Sequence, residues 1–95
     1  MRVRYSQRAA RFMGDLRTCD ETQFHSLRGL ILQIAGDPSI DNVTKILTDF
    51  GSGTSAPVYM DEDWWIVYRV DREQRDDIMS VISIWSASSP PHLRL

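Results

Sequence analysis

Residues 61–85, DEDWWIVYRVDREQRDDIMSVISIW, decide the fold. From Trp64 to Val70 an extended chain presents Trp64, Ile66, Tyr68 and Val70 on one face and Trp65, Val67 and Arg69 on the other. From Ile78 to Trp85 the two faces carry Ile78, Ser80, Ile82 and Ile84 against Met79, Val81, Ser83 and Trp85. Neither segment shows the apolar-in, polar-out alternation of a half-exposed sheet, so both belong in the middle of one.

Upstream, Val58 to Met60 runs into the acidic triplet Asp61-Glu62-Asp63, which reads as a tight turn. The segment is expected to run from Val58 through Met60, turn there, and continue as Trp64 to Val70. GSGTSAP, from Gly51 to Pro57, is a loop. Before it, residues 43–50 admit two readings. Val43, Ile46, Leu47 and Phe50 fit a helical spacing with Asp41 as cap and Gly51 as stop, while the β-branched content of the segment fits a strand, which is preferred.

The N-terminal part is helical after a short strand. Met1 to Tyr5 alternates Arg2 and Arg4 with Val3 and Tyr5, a period of two, and Ser6 offers an N-cap. Ala9, Phe12, Met13 and Leu16 then recur at helical spacing. Asp20 followed by Gln23 resembles a capping box opening a second helix, whose apolar stripe is Phe24, Leu27, Leu30, Ile31 and Ile34. Gly36 stands where a terminating glycine would lie, with Pro38 beyond it. The order is β-α-α-β-β-β, an α+β fold with the helical hairpin on one face of the sheet. Two short helices cover only that face. The other is expected to expose Trp65, Val67, Val81 and Trp85 unless a partner or the C-terminal tail covers it, and so reads as a binding surface.

Composition bounds the rest. The chain has 95 residues, 11 Lys and Arg against 13 Asp and Glu, and a formal charge of −2. It is one domain, residues 1–95, with SASSPPHLRL from Ser86 to Leu95 expected to be an irregular tail. Residues 1–35 carry a net +3 and residues 36–95 a net −5. Cys19 is the one cysteine, which excludes an internal disulfide framework and favours a reducing, cytoplasmic setting. No apolar run approaches the length of a membrane span, and the first residues lack the apolar region of a signal peptide. One cysteine and two histidines do not make a closed zinc site, the acidic triplet lacks the spaced ligands of a calcium loop, and GSGT lacks the lysine of a phosphate loop. No metal or cofactor is expected.

The succession YSQRAARFMGDL, LILQIAGDPS, VTKILTDF, DEDWWIVYRVD and IMSVISIW resembles the RelE/ParE toxin family of bacterial type II toxin–antitoxin systems along nearly the whole chain. Tyr5, Ser6 and Ala9 match the end of the family's first strand. Asp37-Pro38 matches the end of its helical hairpin, and Asp63 to Arg69 its most recognisable strand. The resemblance implies a curved antiparallel sheet with the hairpin on one face and a protein antitoxin as partner. The implied target is mRNA on the ribosome for RelE-like members, cut by an endoribonuclease activity that inhibits translation, or DNA gyrase for ParE-like members.

Carried over residue by residue, the resemblance implies Lys45, Arg69 and Arg94 for charge stabilisation and His92 for proton transfer. Scission by 2′-OH attack needs an acid, a base and cations around one phosphate. Trp65 stands where ribosome-dependent members carry a basic residue, and antitoxin contact is its expected role. His25 reads as a surface residue of the second helix. A second reading, from a different class, is a non-catalytic toxin-fold module whose apolar face binds protein. A homodimer through that face is a third.

Overall fold

The computed structural model describes residues 1–51, 53–74 and 76–88. Its elements are β1 (Arg2–Tyr5), α1 (Gln7–Cys19), α2 (Glu21–Gly36), β2 (Lys45–Asp49), β3 (Ser55–Met60), β4 (Trp64–Glu73) and β5 (Asp76–Ser86). The strands form one sheet in the order β1-β5-β4-β3-β2.

Side-chain caps fix the helical hairpin. Ser6 Oγ accepts from the Ala9 N–H at 3.0 Å, which starts α1. Asp20 stands alone between the helices: its N–H donates to the Leu16 carbonyl, and its side chain accepts from the Gln23 N–H at 3.1 Å. One residue thus ends α1 and starts α2. Gly36 does not terminate α2 as a left-handed glycine would. It is the last helical residue, and the helix stops because Asp37 turns to extended backbone (φ −151°), as a residue preceding proline favours.

Residues 45–49 form a strand, and Asp41 caps a turn in place of a helix. Its Oδ1 accepts from the N–H groups of Val43, Thr44 and Lys45 at 2.7–2.9 Å, with Asn42 at φ 60° between them. The acidic triplet turns the chain as expected and divides the segment from Val58 into two strands. Asp61 Oδ1 accepts from the Asp63 and Trp64 N–H groups, both at 2.7 Å. β4 and β5 reach further than their apolar residues indicated, through Glu73 and from Asp76: the backbone ladder continues, and Arg72 and Asp77 face each other across it at 3.9 Å. Ser86, expected in the tail, is the last residue of β5. The rest of the tail from Ser89 onward lies outside the described residues.

The sheet is mixed. β2 to β5 pair antiparallel, whereas β1 lies parallel to β5. A parallel neighbour requires a long connection, and here everything between Tyr5 and Asp76 supplies it. Both helices pack on one face, over Ile66, Tyr68, Met79 and Val81, none of which has any exposed surface. Trp64 meets Phe12 edge-on at 5.8 Å between ring centres. Tyr68 donates its hydroxyl to the Pro38 carbonyl at 2.6 Å, tying the link between α2 and β2 to the core.

One irregularity alters the expected faces. Val67 pairs with Ser83 but Tyr68 pairs with Val81, leaving Ile82 as an extra residue in β5. Side chains before and after this bulge are therefore out of step. Val81 packs under the helices and Ile82 faces the other way, against the Val67 cluster. The expectation that Val81 shares the uncovered face with Trp85 is thus wrong. Strict alternation does not survive an inserted residue.

Candidate functional site

The face opposite the helices carries a second, smaller apolar cluster. Ala56, Val58 and Val67 are buried there, with Phe50, Met60 and Ile82 packed around them. Val67 retains 5% exposure although among the described residues no helix lies over it, and the sheet's own side chains and Phe50 pack around it. Trp65 and Trp85 are cross-strand partners and both are half-buried. Trp85 is fixed by donating its indole N–H to Ser83 Oγ at 3.1 Å.

A cleft of ≈ 280 Å³ opens beside this cluster, lined by Phe50, Ala56, Val67, Ile82 and Trp85, with Arg8 at its rim. A second recess of ≈ 370 Å³ shares Trp85 and Arg8 and continues over Ile84, Phe12 and Arg11. The two form an apolar path from the sheet to the exposed side of α1, bordered by arginines.

At the β1 side of the same face lies a polar group. Ser80 Oγ donates to Asp71 Oδ2 at 3.2 Å and accepts from Arg4 Nη2 at 3.1 Å. Arg69 Nε reaches Asp71 Oδ1 at 3.0 Å, and Arg4 Nη2 lies 3.6 Å from Asp71 Oδ2. Two guanidinium groups thus share the Asp71 carboxylate.

The sequence-derived site residues separate in space. Arg69 lies on the uncovered face, in register with Ser80. Lys45 lies on the helix side: it is paired with Tyr59, which packs against the main core, and its Nζ donates to the Asp37 carbonyl at 2.6 Å. These two cations stand on opposite faces of the sheet. His92 and Arg94 lie outside the described residues. Trp65, Val67 and Trp85 share the uncovered face, and Val81 does not.

Sequence reasoning missed Arg4, Arg8, Asp71 and Ser80. Alternation did place Arg2 and Arg4 together, but which face they took depends on the parallel pairing with β5, which no local pattern encodes. Among the described residues no group of three or more His, Cys, Asp or Glu is placed to hold a metal ion. None of their helices is long and apolar enough to cross a membrane.

The tyrosines at the sheet are held in their neutral form. Burial pushes Tyr68 up to about 12, with the charges of Asp41 and Asp37 adding to the effect. Tyr59 is raised by burial and by its hydrogen bond to Asp61. Tyr5 is raised by burial, with Arg28 opposing.

A YoeB/ParE toxin from Agrobacterium tumefaciens superposes on this chain with a TM-score of 0.68. The overlap covers 88% of this chain and 96% of the other. The fold is that of the YoeB/ParE toxins. Sequence identity over the match is 14%, so the likeness rests on the arrangement of elements and not on shared residues. No family model and no curated protein matches the sequence. In this chain the helical hairpin covers one face of the sheet, and among the described residues no helix lies on the Trp65–Trp85 face.

Proposed function

We propose that this chain is the toxin of a toxin–antitoxin pair, covered by a protein antitoxin on its Trp65–Trp85 face, and that it arrests growth by occupying a protein target. Gyrase, the target of ParE-like members, is the precedent for such an action. The toxin fold supports the first part. The placement of Lys45 and Arg69 on opposite faces of the sheet carries the second. RNA scission needs its cations, acid and base around one phosphate, and these two cannot reach the same one. Arg69 is moreover engaged by Asp71. The apolar path past Phe50, Val67 and Trp85 has the composition of a protein-binding surface.

The test is controlled expression in a bacterium, with growth followed alongside primer extension on a translated reporter mRNA. The expected result is arrest without new mRNA ends, relieved by co-expression of the antitoxin. New cuts within translated codons would replace protein binding with ribosome-dependent cleavage. Unimpaired growth would leave the non-catalytic binding module.

A further inference from the structure

We infer that the free edge of β2 pairs with the β2 edge of a second copy of this chain, about a two-fold axis at Thr48, to join two five-stranded sheets into one. This surface is distinct from the Trp65–Trp85 face and does not depend on the function proposed for that face.

The backbone decides which groups are free. The Phe50 N–H donates to the Thr54 carbonyl and the Met60 N–H to the Thr44 carbonyl, so the even-numbered residues of β2 bond inward to β3. In an antiparallel ladder the alternate residues then point outward. Leu47 faces Pro57, which has no N–H to offer, in agreement with that phase. Lys45 also points outward, but its N–H is taken by Asp41 Oδ1 and its carbonyl by the Asp41 and Asn42 N–H groups. Among the described residues, that leaves the N–H and C=O groups of Leu47 and Asp49 unpaired on this edge.

Those four groups fix a register. Centring a two-fold pairing on Leu47 would oppose Asp49 to Lys45 of the second copy, whose backbone is already occupied. Centring it on Thr48 opposes Leu47 to Asp49 of the second copy and Asp49 to Leu47. All free groups are then used, in four hydrogen bonds. In that register Ile46 meets Phe50 of the second copy on the uncovered face, extending the Ala56–Val58–Val67 cluster across the axis. On the helix side Asp49 lies diagonal both to Lys45 and to Asp49 of the second copy, so charge neither favours nor opposes this register and the backbone groups decide it.

Exposure supports the same edge. Val43, Leu47 and Ile40 are 78%, 56% and 40% exposed, and they cluster around β2. A short edge with outward apolar groups and unpaired amides invites strand addition, and this one matches itself.

Sedimentation of the full chain across concentration, combined with amide exchange, tests the pairing. A concentration-dependent dimer is expected, with the Leu47 and Asp49 amides exchanging roughly tenfold or more slowly in it than in the monomer. Leu47→Pro deletes one outward donor and spares the inward ladder, so it should give a monomer with an unchanged spectrum elsewhere. Thr48→Cys in a Cys19→Ser background should form an intermolecular disulfide across the axis, whereas Ser55→Cys in that background should not. A monomer at every concentration overturns the proposal. So does a dimer in which the Leu47 and Asp49 amides stay unprotected, or protection that appears only when another protein is added.

Discussion

Ser6 donates its hydroxyl to the carbonyl of Ile82, the residue inserted in β5, while its own N–H bonds the Val81 carbonyl at 2.9 Å. The N-cap of α1 is therefore also the lock on the bulge that sends Val81 and Ile82 to opposite faces. Ser6→Ala removes the cap and leaves the bulge carbonyl short of a donor. A loss of about 1–3 kcal/mol is expected in urea unfolding. A change within the error of the midpoint would show that the bulge holds without Ser6.

Val81→Ala should separate core from surface. With no exposed area, this position is expected to cost about 2 kcal/mol through the lost methyl groups and the space they leave. Under the proposed function, affinity for an antitoxin should stay as it is once the variant is folded. Trp85→Ala should do the reverse, weakening the complex at least tenfold with a smaller effect on unfolding, as titration calorimetry would register.

The β4 alternation was legible because periodicity alone assigns it: Trp64, Ile66 and Tyr68 do lie under the helices, with Val67 on the other side. The two helices were legible from their stripes and caps. β5 was read correctly as central but wrongly in its phase, since an inserted residue has no signature among Ser80, Val81, Ile82 and Ser83. The Arg4–Asp71–Ser80 group was invisible for another reason. It joins strands far apart in the chain, and such contacts are made by topology.

Tyr68 should couple stability to alkaline pH. Its folded value is raised to about 12 from the ordinary 10, so the folded state keeps the proton longer than the unfolded chain does. Stability from this group is complete below pH 10 and falls as the pH rises from 10 to 12. Tyr68→Phe should flatten that part of the profile and lose the bond to Pro38, about 1 kcal/mol at neutral pH. Thermal melts across alkaline buffers would reveal an unchanged slope if Tyr68 were not responsible.

Asp41 acts at the other end of the scale. Three backbone N–H groups and the Thr44 hydroxyl converge on its carboxylate and hold it well below the usual range. Its contribution is present above about pH 4, the ordinary carboxylate value, and is lost as the pH falls toward the folded value. Asp41→Ala should raise the acid midpoint of unfolding and speed exchange of the Lys45 amide. Unchanged exchange there would show the turn to be held by other contacts.

Lys45→Ala and Arg69→Ala, made singly, should leave growth arrest intact if the chain acts by occupying a protein. Plating efficiency under induction gives the answer. A thousandfold recovery of colonies with either substitution would restore a chemical role to that residue.

The parallel pairing of β1 with β5 also bears on synthesis. Arg2 finds its strand partner in Ile78, so the first strand to leave the ribosome has no neighbour until the last strand follows it. The sheet's centre closes late, and a nascent chain carries an unfinished working surface through most of translation. Whatever surface the sheet presents is therefore incomplete until β5 has been made and has joined β1.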